Sequence, residues 1–144
     1  MTTGKLMKIG EVAGRLGVAV STVRKYEAAG IVLPVRTVGK HRLFSEDDLH
    51  WLSCVRDMIT HKGMTLGGIK RLTSMVPCWE LRKCPQEERL KCEAYTSDTT
   101  PCWLLDNIGF ICRNAECRTC IVYKSVTHCD NLKVLFTELI YSRS

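Results

Sequence analysis

Apolar positions in the first half of the chain recur at helical spacing, and glycines punctuate them. Ile9, Val12, Ala13 and Leu16 share one helix face over residues 7–16, and Gly17 breaks the run. A second short helix is expected from about Ala19 to Ala28, with Val20, Val23 and Tyr26 turned towards the first and Gly30 as its stop. Two short helices joined by a tight glycine-containing turn make a helix-turn-helix. The second helix then carries Ser21, Thr22, Arg24 and Lys25 outward. Hydroxyl and cationic side chains of this kind reach base edges and phosphates in a major groove. Residues 31–44 read as a two-stranded wing. Gly39 permits its turn, and Lys40, His41 and Arg42 offer donors near a nucleic-acid backbone. Ser45 and Asp48 are spaced as a capping box, with acids filling the positive end of the helix that follows. Leu49, Leu52, Val55 and Ile59 form an apolar stripe to about His61, and Lys62-Gly63 ends it. Thr65 opens a further helix with Leu66, Ile69, Leu72, Met75 and Val76 inward, and Pro77 closes it.

Beyond Pro77 this periodicity stops. It resumes only at Leu132, Leu135, Phe136, Leu139 and Ile140, with Asp130 placed as a cap. A helix of about 12 residues is marginal alone. It needs a partner, either its own chain's preceding segment or a second subunit. No apolar run approaches the length of about 20 residues that a membrane-spanning helix needs. The N-terminal MTTGKLMKIGEVA lacks the apolar core of a signal peptide. A cytoplasmic protein without a membrane partner is therefore expected.

Charge changes the picture in one place. The net charge is +6, and residues 1–44 hold eight Lys/Arg against two acids, so the whole excess lies there. Such a block suits a phosphate backbone, although charge alone fits a solvated face with no partner equally well.

The gap between the two periodic regions holds the chemistry. Seven of the nine cysteines fall between Cys78 and Tyr123. They form two copies of one pattern: Cys78-Trp79, Cys84, Cys92 and Tyr95, then Cys102-Trp103, Cys112, Cys117, Cys120 and Tyr123. Each copy opens on Pro-Cys-Trp and closes on Cys-x-x-Tyr. All seven cysteines are candidate metal ligands. In a cytoplasmic chain, clustered cysteines bind metal or sense redox state more often than they form disulfides. Thiolates favour zinc and iron–sulfur clusters. Three readings stand: an iron–sulfur cluster, with 4Fe–4S the expected form; zinc or another thiophilic metal; and thiol–disulfide switching. A metal could also simply staple a module too small to fold through its own core. Cys117 and Cys120 form the sole CxxC pair, the spacing that brings two sulfurs to one centre. If the two copies have equivalent roles, Cys78 matches Cys102, Cys84 matches Cys112 and Cys92 matches Cys120. Cys54 reads as a small buried hydrophobe, Cys129 as inert or accessory.

The first half also carries a family resemblance. Ile9-Gly10-Glu11-Val12-Ala13, Leu16-Gly17-Val18, Ser21-Thr22-Val23-Arg24-Lys25-Tyr26-Glu27, Gly30-Ile31, Leu33-Pro34, Arg36 and Arg42-Leu43-Phe44-Ser45-Glu46-Asp47 resemble the DNA-binding region of the MerR family over roughly residues 7–76. The resemblance implies a winged helix-turn-helix that binds double-stranded promoter DNA as a homodimer and affects RNA polymerase indirectly, by distorting the promoter. It places Thr22 and Arg24 on the recognition helix, Tyr26 at the backbone, and Arg36, Lys40 and Arg42 on the wing. Two departures bear on base preference: Lys25 stands where an aromatic residue is usual, and Val38-Gly39-Lys40-His41-Arg42 replaces the usual Asn-Gly-Tyr-Arg. The family's long dimer helix has no room before Pro77-Cys78. The cysteine block is similar to a module marked by two Cys-Trp dipeptides in bacterial and archaeal regulators and chemoreceptors. It lacks the compact motif of SoxR, so that protein's ligand positions do not transfer.

The expected architecture is mainly α. Residues 1–76 form a winged helix-turn-helix, 77–129 a small irregular cysteine-rich metal module, and 130–144 a short helix. The expected function is cluster-dependent transcription regulation in response to redox state, oxygen, nitric oxide or a metal. An iron–sulfur electron carrier or enzyme ranks below this, because no nucleophile–base constellation or glycine-rich phosphate loop points to one.

Overall fold

One small sheet ties the start of the chain, residues 7–8, to a hairpin over residues 35–44. The computed structural model describes residues 5–37, 39, 41–76, 78–82, 84–97, 99–105, 108, 109, 112 and 116–127, without the side chains of Trp79, Glu80 and Val126. Lys40, Cys129 and the apolar stripe expected over 130–144 lie outside these residues. The chain divides into two compact units, Met1–Ile69 and Lys70–Ser144.

In the first unit, strand β1 (Met7–Lys8) leads into helix α1 (Ile9–Leu16) and helix α2 (Val20–Ala28). Strands β2 (Val35–Arg36) and β3 (Arg42–Phe44) follow, then helix α3 (Glu46–His61). The sheet order is β1-β3-β2, antiparallel throughout, with Met7 opposite Phe44 and Arg36 opposite Arg42. The two strands expected of the wing, β2 and β3, pair as a hairpin, and β1 adds a third strand that was not expected. Met7, expected at the start of the first helix, is instead a strand residue 1% exposed. Its pairing with Phe44 is non-local and leaves no trace in helical periodicity.

Local signals set the helix ends. Gly17 takes φ 71° at the end of α1, and its amide donates to the carbonyls of Ala13 and Gly14. This left-handed conformation is open to glycine at little cost. Ala19 caps α2 in extended conformation. Ser45 Oγ accepts from the Asp48 amide at 3.1 Å, and Asp48 Oδ2 accepts from the Ser45 amide at 2.8 Å, which closes the capping box ahead of α3.

The first core gathers Val12, Ala13, Leu16, Val23, Tyr26, Ile31, Val32, Phe44, Trp51, Leu52 and Val55. Trp51 corrects the expected stripe on α3: it is buried, whereas Leu49 and Ile59 are half-buried. Its indole Nε1 donates to the Ile31 carbonyl at 2.9 Å. That bond satisfies a polar atom on each side and turns the large ring inward.

Helix α4 (Leu66–Ser74) spans the division between the units. Thr65 Oγ1 accepts from the Gly68 amide at 2.9 Å at its start. Ile69 and Val76 are buried as expected, but Met75 is 56% exposed and Thr73 takes a buried place instead.

The second unit has short pieces: α5 (Cys78–Leu81), α6 (Gln86–Leu90), α7 (Glu93–Thr96), two 3-10 turns (Cys102–Leu104 and Cys117–Thr119), and α8 (Ile121–Val126). The fold is thus mostly helical, with one small sheet and an irregular cysteine-rich region. No helix among the described residues is long and apolar enough to cross a membrane.

Candidate nucleic-acid face and thiol-lined hollows

On α2 the apolar side chains Val23 and Tyr26 face the core, and the opposite face is left to Ser21, Arg24 and Lys25, all exposed, with Thr22 half-exposed. Tyr26 is 5% exposed. Its structural part is to seat α2 on the core, and burial raises its phenol pKa, with Arg56 opposing. Arg36, His41 and Arg42 are exposed on the wing. The His41 amide donates to Thr37 Oγ1 at 3.2 Å, and the Thr37 amide donates to the His41 carbonyl at 3.1 Å, which pins the two sides of the wing turn.

One residue here had no role assigned from the sequence. Glu27, near the end of α2, lies 2.9 Å through Oε2 from Arg42 Nε and 3.7 Å from Arg36 Nη2. These arginines sit opposite each other across β2 and β3, so a single carboxylate ties both wing strands to α2. The clue was available: an acid directly after Tyr26, upstream of two wing arginines in a basic block.

Residues 7–76 match the family model described as MerR HTH family regulatory protein. Residues 7–76 form a MerR-type helix-turn-helix domain. The matched region contains α1, α2, all three strands, α3 and α4 of the domain. The HspR protein of Streptomyces coelicolor is 37% identical over 59 residues, which are 41% of this chain and 39% of that protein. The HTH-type transcriptional regulator GlnR of Bacillus anthracis, and that of Bacillus cereus, are 34% identical over 70 residues, 49% of this chain and 54% of each relative. The chain therefore spans about half or less of the length of these relatives. No solved structure matches. The match to the MerR-type domain ends at Val76, two residues before the first cysteine of the block.

Among the described residues of the cysteine-rich unit, seven thiols are free: Cys78, Cys84, Cys92, Cys102, Cys112, Cys117 and Cys120. They are arranged around two small apolar hollows. Cys78, Cys84, Cys92 and Cys112 line the first, together with Arg82, Arg89, Tyr95 and Gly109. Cys102, Cys112, Cys117 and Cys120 line the second, with Trp103, Ile108, Val122 and Tyr123. Their empty spaces, open mouths included, are about 340 and 330 Å³. Cys112 is common to both. The grouping follows the two sequence copies, the first copy's three cysteines on one hollow and the second copy's four on the other, except that Cys112 also reaches the first. Among the described residues, no three Cys, His, Asp or Glu side chains converge closely enough to ligate a single ion as they stand.

Backbone bonds place these thiols. Cys78 opens α5, and Cys92 caps α7 while its amide donates to the Arg89 carbonyl at 3.1 Å. Arg89 Nε donates to the Cys84 carbonyl at 3.1 Å. The Cys120 amide donates to the Cys117 carbonyl at 3.0 Å, the tight turn that brings this pair to one hollow. The Cys112 amide donates to the Gly109 carbonyl at 3.1 Å. A Cβ on Gly109 would meet Glu88 Oε2 at 3.2 Å and the Cys92 Cβ at 3.8 Å, so the backbone here passes close to the first hollow. Trp103 and Tyr123 meet edge to face at 5.0 Å, an aromatic wall for the second hollow. Arg82 was not foreseen. It lines the first hollow, and its Nη1 lies 3.5 Å from Cys120 Sγ of the second.

Burial, with neighbouring thiols, favours the protonated form of five of these cysteines, Cys78, Cys84, Cys102, Cys112 and Cys117. Burial pushes Cys78 up to about 11, with Cys112, Cys92 and Cys84 adding to it. Burial also raises Cys102, as do Cys78, Cys112, Cys120 and Cys117. It raises Cys112 and Cys117 too, against the opposing charge of Arg82. Cys84 is raised by burial, Cys92 and Glu88, with Arg89 and Arg82 opposing. A soft cation would replace these protons, and the donor set, all sulfur in an apolar lining, fits thiophilic iron or zinc. Cys54, on α3, is half-buried and disulfide-bonded, not the free apolar thiol expected from the sequence.

Proposed function

We propose that this chain is a DNA-binding transcriptional regulator whose cysteine-rich unit carries an iron–sulfur cluster and reports redox state, oxygen, nitric oxide or a metal. The DNA-binding part rests on one observation: within the MerR-type domain, α2 buries Val23 and Tyr26 and leaves Ser21, Arg24 and Lys25 exposed. These residues would face the bases and backbone of promoter DNA, with Thr22 beside them. Arg36, His41 and Arg42 supply wing contacts, and Lys40 belongs to the same proposal. The chain acts in the cytoplasm as a homodimer on double-stranded promoter DNA, and RNA polymerase responds to the DNA geometry. It is a regulator, not an enzyme.

The sensing part rests on the seven free thiols around apolar hollows. A bound cluster supplies one-electron chemistry and reactivity towards oxidants. The thiols ligate it, while Trp103 and Tyr123 limit water at the second hollow. The tight Cys117–Cys120 turn favours a second reading, zinc. Anaerobic purification, visible absorption, and iron, sulfide and zinc analysis separate the two: a colourless protein with stoichiometric zinc and no iron refutes the cluster. For DNA, Arg24→Ala is expected to weaken promoter binding and to reduce its logarithmic salt slope by about 1. Unchanged affinity and slope in both Arg24→Ala and Arg42→Ala would overturn the assignment of this face.

A further inference from the structure

Seven ligand-type cysteines are an awkward number for one four-ligand site. The hollows resolve it. Cys78, Cys84 and Cys92 lie only on the first, and Cys102, Cys117 and Cys120 only on the second. Cys112 lies on both. We propose that the unit holds two thiolate-ligated metal centres, one in each hollow, with Cys112 as the ligand common to both. The proposal rests on the reading that this unit binds metal, and it goes further by fixing the number of centres and the partition of the ligands.

Three features carry it. The first is placement. Gly109 brings the backbone against Glu88 and Cys92, and Cys112 is hydrogen-bonded back to that glycine, so its thiol reaches the first set of cysteines although it belongs to the second sequence copy. The second is charge. Seven thiolates against two divalent ions leave excess negative charge. Arg82 and Arg89 line the first hollow, and Arg82 reaches Cys120 of the second, so one guanidinium serves both centres. The third is chemistry. Thiolate sulfur keeps lone pairs after binding one metal, so a single cysteine can bridge two, and soft metals accept such bridges. The thiols ring the hollows without meeting at one point. Loading therefore draws them inward and expels their protons, and a cluster, wider than an ion, demands less contraction.

The test uses the full-length reduced, metal-free chain. Cadmium(II) is titrated in, followed by thiolate-to-metal charge-transfer absorbance and native mass spectrometry. A parallel anaerobic arm uses ferrous iron with sulfide. The wild type is expected to saturate at two centres per chain in at least one arm. Cys84→Ser and Cys117→Ser should each retain one. Cys112→Ser should weaken both, by about tenfold or more each in competition with a chromophoric chelator. Saturation of the wild type at one centre overturns the proposal while leaving metal binding intact. So does a Cys112→Ser chain that keeps one centre at full affinity. No binding in either arm overturns the metal reading itself. The wild-type count stands even if a serine variant fails to fold.

Discussion

Replacing Glu27 by glutamine tests whether one carboxylate holds the wing to α2. The change keeps shape and an acceptor for Arg42 Nε but removes the charge. A hydrogen bond to a charged group contributes about 1.5–3 kcal/mol. The Arg42 side chain is 41% exposed and that of Arg36 60%, against 11% for Glu27, so solvent screening discounts this. Arg36 at 3.7 Å adds little to Arg42 at 2.9 Å. The expected loss is about 1 kcal/mol, or roughly 4–8 °C in the melting of a domain of this size. Glu27→Ala should cost more, because it leaves Arg36 and Arg42 opposed across the strands with no anion between them. Denaturant unfolding of wild type, Glu27→Gln, Arg42→Ala and the double variant closes a cycle. In the Arg42→Ala background, Glu27→Gln should be nearly neutral, and the coupling should shrink as salt is raised. Equal losses in both backgrounds would refute the reasoning, since the glutamate would then act through something other than Arg42.

Two further outcomes follow from the interior. Trp51→Phe strands the buried Ile31 carbonyl and should destabilise the first unit by about 2 kcal/mol, read as a shift of the denaturation midpoint with unchanged slope. In the metal-free protein, Cys78 is raised from 9.0 to about 11 by burial and neighbouring thiols. The folded state thus holds its proton longer than the unfolded state. Stability from this group is complete below pH 9 and falls as pH rises towards 11, which unfolding across that window should show; metal loading should abolish the trend.

Much of the first unit was legible because its signals are local. Gly17 and Gly30 take φ 71° and 76° where the periodic runs break, and Ser45 with Asp48 makes the box their spacing implies. What escaped was non-local. Met7 looks like a helix start until Phe44 arrives to pair with it. Trp51 lies four residues before Val55 on the buried face Asp48–Trp51–Leu52–Val55, and the non-local part is its indole bond to the Ile31 carbonyl, twenty residues earlier. Glu27 gained a role only once the strands brought Arg36 and Arg42 together. The thiols show the same limit. Spacing singled out all seven and the Cys117–Cys120 pair, and matching the copies made Cys112 the equivalent of Cys84. Each copy's cysteines line a hollow of their own, but that Cys112 also reaches the first is visible only in the fold.

The interior of the second unit bears on why thiols would carry its signal. Its buried apolar side chains among the described residues are few: Val76, Ala94, Ile108, Val122 and Tyr123, with Pro101 fully enclosed. The first unit buries Met7, Ile31, Phe44, Trp51 and Leu52 besides its smaller aliphatics. A small unit can draw order from cross-links, and bound metal supplies folding free energy directly. On the proposed reading, structural and sensing roles for the thiols are then not competitors. The same sulfurs that hold the unit together are the ones an oxidant or a competing metal reaches. Losing a centre would therefore change the order of the unit as well as its charge. Cys112, placed on both hollows, is where the loss of one centre would be felt by the other.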